Sequence, residues 1–389
     1  NMSDKKFKED TLLTKLGRDP DDYHGIMNPP IVQASTIKYK DLEGYETKKG
    51  QKFTYANISH PLSNHFETAM AELEGGYKAV SSSTGLAPIT AALLAFLKAG
   101  DHLLTCDSIY PPTRIACDKL LGRFGVEVEY YDPCVGAGIK DLIKDNTAVI
   151  YLESPGSATF EVQDVPAIVK EAKARGVTTI MDNTWASGLL FKPLAHGVNI
   201  SVCAATKYIS GHADVNLGYA VADTEEHYKR LKSAHVDLGH CPGSLDLSLA
   251  LRGLRTMKMR MKRQAASALQ IAQWLQGRDE VRRVYHVALP DHPTHALWKR
   301  DFSGSNGLLS ILLKDYSKEQ VSNFINVLEL FPIGSSWGGY MSLLQPQIEI
   351  GWRKAKKWNE TGQLLRLQIG LEDPDDLIAD LEQAFKKLK

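Results

Sequence analysis

A chain of 389 residues is too long for one ordinary hydrophobic core, so two packed domains preceded by a terminal arm are expected. Its 46 basic and 46 acidic residues cancel, which removes the electrostatic case for a nucleic-acid or anionic-membrane partner and favours a small-molecule ligand. Hydrophobic content of 43% is ordinary for a globular protein, and no apolar run approaches the roughly 20 residues that span a bilayer.

Asn1 ahead of Met2 reads as a residue added in cloning. The charged stretch from Met2 through Ser3, Asp4 and Lys5 lacks the apolar segment of a signal peptide, so a cytoplasmic location is expected. An arm over 1–59, polar and irregular for most of its length, is followed by short apolar runs that alternate with helical patterns, the mark of an α/β domain with a mostly parallel sheet over 60–248. Strands are predicted at 79–82, 102–106, 126–130, 148–152, 177–181, 201–204 and 218–221, with crossover helices such as 86–98, 113–124 and 165–174. From about Asp246 a long basic amphipathic stretch, 249–276, reads as one helix leaving that domain. The remainder, 249–389, reads as a smaller α+β domain with strands at 308–313 and 364–369 and a closing helix over 374–388. Cys106, Cys117, Cys134, Cys203 and Cys241 are odd in number and form no C-x-x-C pair, so reduced, mostly buried thiols are expected.

Two strand ends carry the chemistry. I-M-D-N-T-W-A-S-G (180–188) delivers Asp182 at the carboxyl end of one predicted strand, and A-A-T-K-Y-I-S-G-H-A-D (204–214) delivers Lys207 at the end of another. In doubly wound sheets such ends share one rim, where ligands bind. A lysine that can reach an aldehyde, beside a carboxylate that can hold a pyridine nitrogen protonated, is the pair that a pyridoxal 5'-phosphate site requires. S-S-S-T-G-L-A (81–87) runs from strand to helix, so the N–H groups of Gly85 and Leu86, with the Thr84 hydroxyl, would cradle a phosphate; Thr206 could add a hydroxyl. Tyr110 is placed to stack on the ring, though a lone tyrosine after a strand is also ordinary packing. His292 and His295 lack the further donors of a zinc site, and Gly136 and Gly138 lack the rest of a dinucleotide fingerprint; no metal is expected.

E-L-E-G-G (72–76), A-F-L-K-A-G-D-H (95–102), Y-L-E-S-P-G-S (151–157), the Asp182 and Lys207 stretches, L-R-G-L-R-T (251–256), W-K-R-D-F-S-G (298–304), S-W-G-G-Y (336–340) and L-R-L-Q-I-G-L-E-D (365–373) together resemble the bacterial cystathionine β-lyases of the Cys/Met-metabolism family. The similarity runs from about Leu12 onward. It implies fold type I of the pyridoxal-phosphate enzymes, β-elimination from cystathionine, and a homotetramer of paired dimers with sites shared across the dimer interface. It further implies Lys207 as the Schiff-base lysine, Asp182 as the pyridinium partner, Tyr110 as the stacking ring and Arg366 as the holder of the substrate α-carboxylate. Tyr110, and Tyr55 from the partner subunit, would assist proton movement or depress the incoming amine's pKa, and Ser336 and Trp337 would touch the substrate.

The chain departs from that pattern at four positions. Asn57 stands where the family carries an arginine reaching the neighbouring subunit's phosphate, with Arg114 and His60 as candidate substitutes. Ile115 stands where an acid meets the far end of cystathionine, and Ser335 and Met341 replace a tyrosine and a glutamate. These positions leave open racemisation of alanine, β-elimination from smaller S-substituted cysteines, and, in another class, a catalytically silent cofactor-binding regulator.

Overall fold

The computed structural model describes residues 7–388, so the reading of Asn1 to Lys5 lies outside it. Seven strands, β1 (Lys78–Ser82), β2 (His102–Cys106), β3 (Glu127–Tyr131), β4 (Thr147–Glu153), β5 (Thr178–Asp182), β6 (Ile200–Ala204) and β7 (Gly218–Ala222), form one sheet in the order β1-β7-β6-β5-β4-β2-β3. β2 to β6 run parallel, and β7 is antiparallel to both β6 and β1. The run Val149, Ile150, Tyr151 and Leu152 is wholly buried, as a parallel strand covered on both faces requires. Between β4 and β5 the Val165–Ala174 helix buries Val165, Ile168, Val169 and Ala172, an i, i+3, i+4, i+7 stripe. Asp164 caps it by accepting from the Ala167 N–H at 3.3 Å.

A second, four-stranded antiparallel sheet takes β8 (Val281–Tyr285), β9 (Leu308–Leu313), β10 (Leu343–Pro346) and β11 (Leu364–Gln368) in the order β10-β11-β9-β8. β8 and β10 escape the sequence reading. In β8 the V-R-R-V-Y alternation is interrupted, and its register shifts between Val281 and Arg283.

Two predicted helices are corrected. The stretch 249–276 is two helices, Ser244–Leu254 and Met257–Gln276, broken at Arg255–Thr256. The Arg255 guanidinium donates to the carbonyls of Leu13 (2.8 Å) and Leu16 (2.6 Å), a tertiary demand that helical periodicity cannot announce. Leu13 and Leu16 are thereby docked in a core with Leu62, Phe66 and Leu251, so this part of the arm is packed structure. The segment 113–124 instead starts at Pro111 and widens into a π-helical turn over Ala116–Leu121. Cys106, Cys117 and Cys203 are buried, whereas Cys134 and Cys241 are exposed.

Candidate active site

The parallel strands β4, β5 and β6 end side by side, with Glu153 paired in register to Asp182 and the chain leaving β6 directly into Thr206 and Lys207. Above that edge lies a cavity of about 450 Å³. Lys207, Asp182, Tyr110, Thr84, Gly85, Leu86, Thr206, Trp337 and Arg366 all line it, so most of the predicted site converges on one space.

Each group is fixed by specific partners. Asp182 is buried, and its Oδ1 accepts from the Thr184 N–H (2.9 Å) and hydroxyl (2.6 Å), leaving Oδ2 for a partner in the cavity. Lys207 Nζ donates to Ser336 Oγ at 2.9 Å and lies 5.4 Å from the centre of the Trp337 ring. Burial pulls the Lys207 pKa down to about 8, helped by the Arg366 charge and opposed by Asp182. Arg366 projects from β11, donates to the Ser336 carbonyl at 3.1 Å and to Gln345 Oε1, and is lowered by burial to about 10, which leaves it charged at neutral pH. The Tyr110 pKa is raised by burial and then by Asp182 and Glu153, so its phenol stays protonated.

Gly85 opens the Leu86–Phe96 helix with ordinary helical dihedrals (φ −66°, ψ −30°), so conformation does not explain it. Space does: a Cβ there would lie 2.6 Å from Ala204 Cβ at the end of β6. Thr84 Oγ1 accepts from the Ala87 N–H at 3.2 Å and keeps its own proton to donate. Thr206 is a weaker candidate than the sequence suggested, because its hydroxyl already donates to the Leu217 carbonyl at 3.1 Å.

The two guessed phosphate cations are otherwise engaged. Arg114 is buried in an ion pair with Asp107 at 2.7 Å and stacks 4.0 Å from the centre of the Tyr130 ring. His60 caps the Pro61–Glu74 helix through Nδ1, which accepts from the Ser63 N–H. Neither lines the cavity. Tyr55 and Asn57 are exposed and lie outside the cavity lining of their own chain. Ile115 and Ser335 line it and Met341 does not. His292 and His295 are spent on the carbonyls of Thr159 (3.0 Å) and Val287 (2.9 Å).

Sequence reasoning missed Glu153, Gln345, Gln347, Glu349 and Trp352, all in the lining. Glu153 had a signal, since it closes the apolar strand T-A-V-I-Y-L-E just as Asp182 closes β5. Its carboxyl accepts from the Tyr110 N–H (2.6 Å) and the Ser157 hydroxyl (2.8 Å), and burial followed by the Asp182 charge holds its pKa well above the usual range.

A buried carboxyl with a free oxygen, a lysine amine part-neutral at pH 8, and a helix start closed against β6 fit pyridoxal phosphate. Fold and donor set together define a fold type I pyridoxal-phosphate enzyme. The chain belongs to the Cys/Met metabolism PLP-dependent enzyme family, whose model it matches over residues 10–386. It is 41% identical to a cystathionine beta-lyase of Bordetella avium, covering 99% of this chain and 100% of that one. It is also 39% identical to an L-alanine/L-glutamate racemase of Wolbachia pipientis, covering 98% of each. Among solved structures, a cystathionine gamma synthase of Xanthomonas oryzae in complex with cystathionine superposes with a TM-score of 0.90 at 28% identity, covering 99% of each chain.

Proposed function

We propose that the protein is a pyridoxal-phosphate-dependent carbon–sulfur β-lyase that converts cystathionine and water to homocysteine, pyruvate and ammonia. The observation that carries this reading is the convergence of the Lys207 amine, the Asp182 carboxyl and the Arg366 guanidinium on one cavity. Lys207, Asp182, Tyr110, Thr84 and the Gly85 and Leu86 amides would hold the cofactor, which when bound supplies an electron sink for charge developing at the substrate Cα.

The chain's own residues do the rest. Arg366 offers a planar fork to the α-carboxylate and so fixes which Cα bond faces Lys207. With a pKa of about 8, Lys207 has a neutral fraction at physiological pH large enough to take the Cα proton and, as ammonium, to give a proton to the departing sulfur. Burial raises the Asp182 carboxyl above its ordinary value against the two Thr184 donors, so the positive charge of a protonated ring nitrogen would be what holds it ionised. Tyr110, protonated, contributes a neutral hydroxyl and a ring face. Trp337, Phe160, Ile115 and Ile89 give the same space an apolar wall.

Exposed apolar residues of the arm, among them Ile26, Met27, Ile31, Tyr55 and Ile58, support a homotetramer in which Tyr55 and Asn57 complete a neighbouring subunit's site. Among the described residues no helix is long and apolar enough to cross a membrane.

One observation favours a second reading. The racemase relative implies that Cα deprotonation on this scaffold also serves racemisation. A single assay separates the readings: purified holoenzyme is given cystathionine, S-ethylcysteine and L-alanine, and thiol, pyruvate and D-alanine are measured. Thiol and pyruvate in equal amounts are expected, together with loss of both, and of the borohydride-bleachable visible band, in Lys207→Ala. D-Alanine without thiol would establish the racemase, and a coloured protein that forms no product would be the silent regulator.

A further inference from the structure

Three carboxyl groups line the cavity, and two of them, Asp182 and Glu153, are buried side by side at the ends of β5 and β4. The third, Glu349, comes from the short helical turn Ile348–Trp352 that follows β10. It is half-buried and borders both the main cavity and a small adjoining niche of about 20 Å³. Lys207, Asp182 and Arg366 do not border that niche, whereas Glu349 does.

The cations around it are committed elsewhere. Arg353 is paired with Glu161 at 2.7 Å, Arg114 with Asp107 at 2.7 Å, and Arg366 bonds the Ser336 carbonyl and Gln345. Among the described residues, the Glu349 carboxylate has no hydrogen bond and no ion pair. Glu349 and Arg366 both line the main cavity. The same lining carries the apolar or neutral groups Ile115, Ala158, Phe160 and Trp352 and the buried amide of Gln347.

We propose that Glu349 selects the far end of the substrate by pairing with an ammonium group at the tip of its thioether arm. The enzyme would therefore prefer amino acids bearing a second amino group over S-alkyl cysteines. A half-buried carboxylate without an internal partner gains a charge-assisted bond from such a ligand and nothing from an alkyl tip. The uncharged Ile115 then needs no acidic replacement at its own position. The inference deepens the lyase reading in naming the substrate, but its binding arm can be tested without turnover.

In the kinetic arm, the ratio of kcat/KM for cystathionine to that for S-ethylcysteine should fall about tenfold or more in Glu349→Gln, mostly through KM. In the binding arm, homolysine and its uncharged isostere 2-aminooctanoate are titrated into holoenzyme and followed by the change in the cofactor's visible absorbance. Wild type should bind homolysine about tenfold or more tighter, and Glu349→Gln should bring that preference close to one. A wild type without preference, or a preference that survives in Glu349→Gln, overturns the proposal. If wild type releases thiol from no thioether, the lyase reading fails while the homolysine preference still decides the role of Glu349.

Discussion

Gly338 brings the S-W-G-G loop against the backbone of Lys207, the lysine proposed to move the Cα proton, and the cost of a methyl group there can be worked out. Its φ is +81°, and a Cβ would lie 2.9 Å from the Lys207 carbonyl carbon, 2.9 Å from the Tyr208 nitrogen and 3.0 Å from Lys207 Cα. Left-handed backbone costs an ordinary residue about 1–2 kcal/mol. A clash with main chain cannot be relieved by a rotamer, and overpacking of this kind costs roughly 1–3 kcal/mol more. Gly338→Ala should therefore lose about 2–5 kcal/mol, or relieve it by lifting the loop and parting Ser336 Oγ from Lys207 Nζ, now 2.9 Å away. The expected result is a fall of several degrees in Tm by calorimetry and of about tenfold or more in kcat/KM. Gly122→Ala is the control, because that glycine has helical dihedrals (φ −57°, ψ −36°) and its nearest neighbour to a new Cβ is the Cys117 carbonyl at 4.0 Å. It should gain about 0.4–1 kcal/mol. Wild-type Tm and kcat/KM in Gly338→Ala would refute the reasoning.

Arg366→Lys should raise KM for amino-acid substrates and cost about 1.5–3 kcal/mol in transition-state binding, since an ammonium cannot reproduce the bidentate fork; unchanged kcat/KM would assign the carboxylate to another residue. Asn57→Arg should slow cofactor loss on dialysis, worth roughly 1–3 kcal/mol, if that position reaches a neighbouring subunit's phosphate, and no gain would place it elsewhere. His286 is wholly buried with Nδ1 accepting from the Ala288 N–H at 3.2 Å, and burial lowers its pKa to about 4. Between the ordinary imidazole pKa and about 4 the unfolded chain binds a proton that the folded chain refuses. Stability contributed by the neutral ring is therefore complete above that window and is lost as pH falls through it, by about 3 kcal/mol at its lower end. Asparagine can replace the Nδ1 acceptor but does not titrate, so urea unfolding of His286→Asn should show a flatter acid slope than wild type. Taking the difference between the two proteins removes the opposite slope expected from Glu74, which burial raises to about 7. Parallel slopes would show that His286 is not the titrating group.

What could be read in the sequence depended on how far apart the cooperating residues lie. β5 ends on Asp182 and β6, ending at Ala204, leads through a turn to Lys207, and a parallel sheet brings such ends to one rim, so both residues were legible from pattern. Glu153 obeyed the same rule and could have been found by it. Arg114 was read as a spare cation although Asp107, only seven residues earlier, neutralises it. The break at Arg255 was out of reach, because the carbonyls that claim its guanidinium are 242 and 239 residues away. Arg366, recognisable by resemblance, reaches the cavity from the second sheet, and Glu349 from a turn beside it whose sequence, I-E-I-G-W, carries no signal. This division has a chemical consequence. Lys207 and Asp182, proposed to act at Cα, are set by strand ends of the large sheet, whereas Glu349, proposed to read the far end of the substrate, comes from the turn after β10. Ser335 can therefore differ from the family without disturbing the register that places Lys207 beside Asp182. Substrate preference can change at Ser335 and Glu349 while the proposed proton transfer stays in place, whereas Ser336 and Gly338, which touch Lys207, tie the two together.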